Sequence, residues 1–347
     1  MQDQINRLES LGIVTATLNS DMGVKAKRVA YDKLKSGTVK LFYVAPETLM
    51  NEELLVFLLQ HVKVSFIAID ECHVVSVWGN SFRPTYRKLS ELRESFPDVP
   101  MIALTATLSP AGITDVIDTL ALDKPKMCIH NLDRPSIIYN IFHKTNENSQ
   151  ILQIVKEYGE KQCGIIYCMT KEKTEEVSRF LSSRGISCRP YHAGLGKKVK
   201  AEVLEQYLNG SLNLITATIA FGMGIDRPDV RYVIHADVPA NIENYMQETG
   251  RLSRDGKLSQ AYLLYSPTDI KTQVWMTQQS VKHPDRLRIN ITKIKAFKNF
   301  CETTSCRRFN MLAFFDQAPD KCGTCDICLG YSTITENLYS RKYLESY

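Results

Sequence analysis

Phe66-Ile67-Ala68-Ile69-Asp70-Glu71-Cys72-His73 is the stretch on which the reading of this sequence turns. A short apolar run ends abruptly in two adjacent carboxylates. That is the pattern of a buried strand in a parallel sheet whose carboxyl end meets solvent. Similar runs flank it at Ile13–Leu18, Leu41–Val44 and Met101–Leu104, with helix-length segments such as Glu52–His61 and Ser109–Leu122 between them. Strand and helix alternating in this way predict a parallel α/β lobe. A second series follows the turn-rich Asn131–Pro135. Its strands are expected at Gly164–Cys168, Leu212–Thr216, Tyr232–His235 and Tyr262–Tyr265, and its helices at Lys173–Ser183 and Lys198–Leu208. Two series of similar size predict two lobes with a ligand cleft between them.

From about residue 269 the period changes. Leu287, Ile291, Ile294, Phe297 and Cys301 fall at helical spacing, and Met311, Leu312, Phe314 and Phe315 continue a second apolar face, so a helical pair is expected. The expected organisation is a first lobe over 1–130, a second over 131–267, a helical module over 268–331 and a polar tail over 332–347. Of the 347 residues 44% are apolar and 23% charged, which excludes a disordered or collagenous chain. The longest apolar run, Leu54–Leu59, is far short of the roughly 18 residues of a membrane span. No leader pattern opens the sequence and ten cysteines are sparse for a disulfide scaffold, so an intracellular, reducing compartment is expected.

The net charge of +5 is unevenly placed. Lys282, Arg286, Arg288, Lys293, Lys295, Lys298, Arg307 and Arg308 are opposed between residues 282 and 308 only by Asp285 and Glu302. This one stretch carries the whole surplus, and it reads either as a phosphate-facing surface or as a solvated helix face.

Adjacent carboxylates at the end of a buried strand sit where open α/β sheets bind ligands. Phosphoryl transfer from a nucleotide uses such a pair, one to hold Mg²⁺ and one to orient and deprotonate the attacking water. In isolation, a pair such as Asp70-Glu71 is more often a helix N-terminal cap. Three further runs supply context: Thr105-Ala106-Thr107, Gly222-Met223-Gly224-Ile225-Asp226, and Gln247-Glu248-Thr249-Gly250-Arg251-Leu252-Ser253-Arg254.

With these residues in this order, the sequence resembles the RecQ family of superfamily-two DNA helicases. Residues 1–8 resemble motif Ia, Tyr43–Glu47 motif Ib, Asp70–His73 the DExH box and Thr105–Thr107 motif III, while Gly164–Thr170 with Tyr191–Gly194 resembles motif IV and its neighbour. The resemblance implies two RecA-like parallel-sheet lobes followed by a helical zinc-binding module. It implies an ATP-dependent 3′-to-5′ helicase acting on single-stranded or partly duplex DNA in unwinding, repair and recombination, with no membrane partner and a nuclear location in a eukaryote. Carried over to this chain, Asp70 and Glu71 serve Mg²⁺-bound ATP, and His73 completes the box. Gly224 and Asp226 face the nucleotide, and Gln247 couples it to the lobe interface. Arg251 and Arg254, three apart and expected on one helix face, reach the developing γ-phosphate charge. The Ser76–Pro84 segment resembles the family's aromatic-rich loop, so Trp78 and Phe82 would stack on bases and Arg83 would take a phosphate. The family usually has His-Asp at Asn80-Ser81 and Ala-Gly at Leu252-Ser253.

Cys306 with Cys322-x-x-Cys325-x-x-Cys328 has the spacing of a closed tetrahedral S₄ site for one structural Zn²⁺. Cys301 falls in the helix core pattern, and Cys72, Cys128, Cys163, Cys168 and Cys188 read as inert thiols. No Gly-x-x-x-x-Gly-Lys-[Ser/Thr] run occurs: Gly196-Lys197 is followed by Lys198 and Gly256-Lys257 by Leu258. In the family that P-loop strand is interior to the first sheet. The first lobe is therefore expected to be incomplete, with open strand edges and uncovered apolar faces. The chain alone is expected to hydrolyse no ATP above a Glu71→Gln control. A non-hydrolysing nucleic-acid-binding remnant is the second reading.

Overall fold

The computed structural model describes residues 5, 8–19, 22–76, 84–222, 225–317, 320–331 and 333. The chain divides into two compact units, Met1–Cys128 and Ile129–Tyr347.

In the first unit the order is β1 (Thr15–Leu18), α1 (Val24–Lys35), β2 (Leu41–Val44), α2 (Glu52–His61), β3 (Ile67–Ile69), β4 (Met101–Ala103) and α3 (Pro110–Thr119). Local chemistry sets the helix starts. Asn51 caps α2 by accepting from the Leu54 N–H, and Ser109 caps α3 ahead of a first-turn proline. Leu18, Leu54, Leu58, Ile69, Leu92 and Leu120 form the core. Among the described residues these four strands do not make one sheet. β1 pairs with β2 and β3 with β4, each pair parallel, and each forms a separate two-stranded sheet. Parallel strands are ordinarily covered on both faces. Here Phe66, Ile102 and Leu104, on or beside β3 and β4, are 55%, 46% and 45% exposed.

The second unit is built on six parallel strands in the order β5-β10-β9-β6-β8-β7. In chain order these are β5 (Ile137–His143), α4 (Glu147–Tyr158), β6 (Cys163–Tyr167), α5 (Lys171–Ser182), β7 (Arg189–Tyr191), α6 (Lys197–Leu208), β8 (Leu214–Ala217), β9 (Val230–His235), α7 (Ile242–Thr249) and β10 (Ser259–Tyr265). β5 and β7 were not anticipated, for two reasons. Asn140 interrupts the apolar run of β5, but it is buried and its amide donates to Gln260 Oε1 at 3.1 Å. β7 carries Pro190, which its position at the sheet edge tolerates because no ladder donor is needed on the open side.

Ile151, Ile154, Val177 and Leu181 of α4 and α5 cover one face of this sheet. The other face meets Tyr207 and Tyr245, and then the helices that follow: α8 (Pro267–Ser280), α9 (Pro284–Glu302) and α10 (Arg307–Ala313). Ile294, Phe297, Phe300, Cys301, Met311 and Leu312 of these helices share one core with the sheet. α9 and α10 are the helical pair read from the sequence. α8, capped by Ser266 and started by Pro267, was missed because it buries only Ile270 and Thr277 and so shows little period. A further short helix, α11 (Asp326–Leu329), carries the last cysteine. The fold is α/β with parallel sheets followed by a helical cysteine-bearing segment. Among the described residues no helix is long and apolar enough to cross a membrane.

Candidate functional site

β3 delivers Asp70 and Glu71 at its carboxyl end. The β3–β4 ladder continues past both strands, with Leu104 N–H donating to Ile69 O and Cys72 N–H to Leu104 O, each at 2.9 Å. That extension sets Thr105 beside the carboxylates. Asp70 is exposed, and its Oδ1 accepts the Glu71 N–H at 2.9 Å. Glu71 lies at φ +52°, a left-handed conformation uncommon for a non-glycine residue and concentrated at functional sites. The turn it makes starts the 3₁₀ segment Cys72–Val74. His73, only 3% exposed, places Nδ1 3.1 Å from Thr105 Oγ1 and 3.2 Å from Glu71 Oε2. One imidazole thus joins the carboxylate pair to Thr105-Ala106-Thr107. Burial and the neighbouring Glu71 push the Cys72 thiol up to about 12, so it is inert, as its sequence context suggested.

In the second unit the arginines depart from the sequence reading. α7 ends at Thr249, so Arg251 and Arg254 lie in the loop beyond it and share no helix face. Ser253 stands at φ +55° between them and redirects the chain. Arg251 is 7% exposed, whereas Arg254 projects outward, its Nη1 2.6 Å from Asp226 Oδ1 and 3.0 Å from the Ile225 carbonyl. A Cβ added to Gly222 would lie 2.9 Å from the Ile219 carbonyl and 3.7 Å from Arg251 Nη2. Gly222 therefore packs against Arg251, and Ile225 and Asp226 meet Arg254. Gln247 is half-buried on α7, and Gly224 lies outside the described residues.

Several residues that hold this loop were missed. Arg134 donates to the carbonyls of Gly250 and Leu252, each at 2.6 Å, and of Ser253 at 2.9 Å. His235 Nε2 lies 2.7 Å from Glu248 Oε2, and its ring stacks on Tyr167, whose hydroxyl donates to the Phe221 carbonyl at 3.1 Å. No local spacing marks these residues. The one available signal was a charged Asp133-Arg134 pair inside a segment read only as a turn.

Cys306, Cys322, Cys325 and Cys328 converge, their sulfurs all within 4.8 Å of one another. The Cys306–Cys322 and Cys322–Cys328 Sγ separations are 3.5 and 3.9 Å. Tetrahedral zinc with Zn–S bonds of about 2.3 Å requires sulfur–sulfur edges of about 3.8 Å, so the donor set fits. Backbone N–H groups of Arg307, Cys322, Thr324 and Cys325 point at these sulfurs from 3.3–3.4 Å, the outer contacts that favour thiolates. Cys301, by contrast, is buried in the helical core, as its spacing predicted. Of the five thiols read as inert, Cys128 alone is exposed.

The basic stretch is largely structural. Lys293 is buried and pairs with Glu243 at 2.7 Å. Arg307 forks onto Asp326 and caps the carbonyls of Phe300 and Cys301 at the end of α9, while Arg308 binds the carbonyls of Pro135 and Ile137. Lys298 pairs with Glu302. Five of the eight charges, Arg286 among them, thus have partners, and Lys282, Arg288 and Lys295 remain exposed. Trp78, Phe82 and Arg83 lie outside the described residues.

Comparison with known proteins agrees with this geometry. The DEAD/DEAH box helicase family matches residues 1–116, the helicase conserved C-terminal domain 146–256 and the RecQ zinc-binding family 267–329. The chain is 39% identical to the ATP-dependent DNA helicase RecQ of Pasteurella multocida over 95% of its own length and 52% of the relative's. It is 38% identical to the protein of that name from Haemophilus influenzae, over 95% and 53%. It therefore spans about half the length of the curated relatives it matches. Among solved structures, the DUF1998 helicase MrfA bound to DNA and AMPPNP shares the fold with a TM-score of 0.62 at 17% identity, over 86% of this chain and 46% of that one. Three helicase families matched in succession, with relatives of one name across nearly all of the sequence, mean that the chain belongs to the RecQ family of helicases.

Proposed function

We propose that this chain is the core of an ATP-driven helicase that moves 3′ to 5′ along single-stranded DNA and separates duplex, in the service of DNA repair and recombination. The observation that carries the reading is the His73 bridge. A carboxylate suited to activating water is joined through one buried imidazole to the Thr105–Thr107 run, so a change at the phosphate is felt at a second loop. Asp70, exposed at the strand end, would hold Mg²⁺, which would neutralise phosphate charge, and Glu71 would orient the attacking water and accept its proton. Bound Mg·ATP supplies the phosphoryl group and neutralises its charge.

Arg251 and Arg254 stabilise charge on the transferring phosphoryl group, Gln247 couples nucleotide binding to strand movement, and Gly224 and Asp226 line the nucleotide side. Arg254 exchanges Asp226 for phosphate at little cost, because an exposed ion pair is worth only about 0–1 kcal/mol. Trp78 and Phe82 stack on bases and Arg83 holds the backbone. The four cysteines hold one structural zinc. No P-loop sequence, the usual phosphate cradle, occurs in the 347 residues.

The test is strand separation on fluorescent duplexes with a 3′ or a 5′ tail, using the protein as its source makes it. Separation should require ATP and the 3′ tail and vanish in Glu71→Gln. Unwinding from the 5′ tail, or of RNA alone, would refute the reading. The 347-residue chain by itself should hydrolyse ATP no faster than its Glu71→Gln variant. It should still bind single-stranded DNA, and Trp78→Ala should weaken that binding by about 1–3 kcal/mol.

A further inference from the structure

Residues Asp133–Ile137 have partners on two sides. Toward the cysteine-bearing segment, Arg308 Nη2 donates to the carbonyls of Pro135 at 3.0 Å and Ile137 at 2.8 Å, and Arg308 Nε lies 3.3 Å from Asp133 Oδ1. Just upstream, Gln317 accepts from the Leu132 N–H at 2.8 Å and donates to the His130 carbonyl at 3.0 Å. Toward the arginine loop, Arg134 binds the three carbonyls of Gly250, Leu252 and Ser253. Ser136 Oγ lies 2.6 Å from Ser253 Oγ, which is itself 2.6 Å from the Lys257 carbonyl. Side chains 134 and 136 thus serve the loop, while the 133 carboxylate and the 135 and 137 carbonyls serve Arg308.

Arg308 is in turn fixed by the cysteine site. It follows Cys306 by two residues. Its neighbour Arg307 donates its backbone N–H to Cys325 Sγ at 3.4 Å and its guanidinium to Asp326, while Asp326 Oδ2 accepts the Ile141 N–H of β5 at 3.2 Å. At the other end, Ser253 occupies a left-handed conformation that a glycine would take without strain. Its hydroxyl contacts, to Ser136 Oγ and the Lys257 carbonyl, bracket that left-handed turn between Arg251 and Arg254.

We propose that Asp133–Ile137 is a strap through which metal binding at the four cysteines sets the position of the loop that carries Arg251 and Arg254. Arg134, Ser136 and Arg308 are its positioning residues. The proposal rests on the phosphate-facing reading of Arg251 and Arg254 for its consequence, but its physical content is the coupling between the two sites.

The test is amide hydrogen exchange of the full chain, read in a peptide spanning 250–257 with a peptide spanning 163–182 as control. Zinc-replete Arg308→Ala should accelerate exchange in 250–257 about ten-fold or more, the equivalent of losing one charge-assisted hydrogen bond, with the control unchanged. Chelating zinc from the wild-type chain should do the same, and should add nothing in Arg134→Ala. Ser136→Ala should accelerate exchange and Ser136→Thr, which keeps the hydroxyl, should restore it. Where Arg308→Ala does not fold, the chelation arm and the serine pair decide. Unchanged protection of 250–257 on chelation, or equal acceleration in the control peptide, overturns the strap. ATP turnover, measured on the protein as its source makes it, is a separate readout: exchange that responds while that turnover does not leaves the strap standing and removes the phosphate-facing role of the arginines.

Discussion

Replacing Lys293 by alanine distinguishes a structural charge from a DNA-facing one. Lys293 Nζ lies 2.7 Å from Glu243 Oε1, with the two side chains 8% and 2% exposed. Among the described residues the second oxygen, Glu243 Oε2, has no hydrogen-bond partner, so the ammonium is the chief compensation for that buried carboxylate. Removing one member of a buried pair strands the other and costs about 3–5 kcal/mol. At a urea slope of about 2 kcal/mol per molar, the transition of the second unit should fall by about 2 M. The double replacement Lys293→Met with Glu243→Leu removes both charges at similar volume and should regain most of the loss. Urea unfolding followed by circular dichroism measures this cycle. The same proteins, titrated with single-stranded DNA across a salt series, give the second readout, because each phosphate contact contributes about 0.7 to the slope of log K against log salt. Lys293→Ala should leave that slope unchanged, whereas loss of exposed Arg288 or Lys295 should reduce it. A Lys293→Ala protein as stable as wild type, with one contact missing from the salt slope, would refute the structural assignment.

Three further outcomes follow from other parts of the fold. A Cβ at Gly164 on β6 would lie 2.2–2.7 Å from three atoms of the Tyr232 ring, itself buried and stacked on Tyr158, so Gly164→Ala should destabilise by at least about 1–3 kcal/mol in thermal melts. Burial disfavours the charged form of Asp237, but Lys173 and Lys144 more than offset it and hold its carboxyl below the usual range. A depressed folded-state pKa contributes stability that is full above the unfolded value of about 3.9 and is lost as pH falls through the folded one. Asp237→Asn should therefore lower stability at neutral pH and flatten its decline in acid; Asp269, raised by burial despite Lys144, has the opposite sign. Stability measured against pH in Asp237→Asn and Asp269→Asn checks this. Finally, metal analysis should find about one zinc per wild-type chain, with Cys325→Ser holding little or none.

Much of the site was legible because its signals are local. Asp70 and Glu71 are announced by the apolar run before them, and the cysteine spacing brings three thiolates to one turn whatever the rest of the chain does. Other features were illegible for equally physical reasons. The polarity of Asn140 concealed a strand because its satisfying partner, Gln260, is 120 residues away. The arginine pair was placed on a helix because spacing alone cannot show where a helix stops, and α7 stops two residues short of Arg251.

The sequence by itself determined the α/β alternation, the order of the helicase motifs and the metal donor set, since period, spacing and residue type act over a few residues. Only the tertiary structure decided what the charges do. Lys293 and Glu243 meet across 50 residues, Arg134 and Gly250 across 116, and Arg308 and Pro135 across 173. A positive charge in a sequence has the same formal value in each case. Whether it faces phosphate, neutralises a buried carboxylate or binds a row of carbonyls depends on which distant groups folding brings within about 3 Å of it.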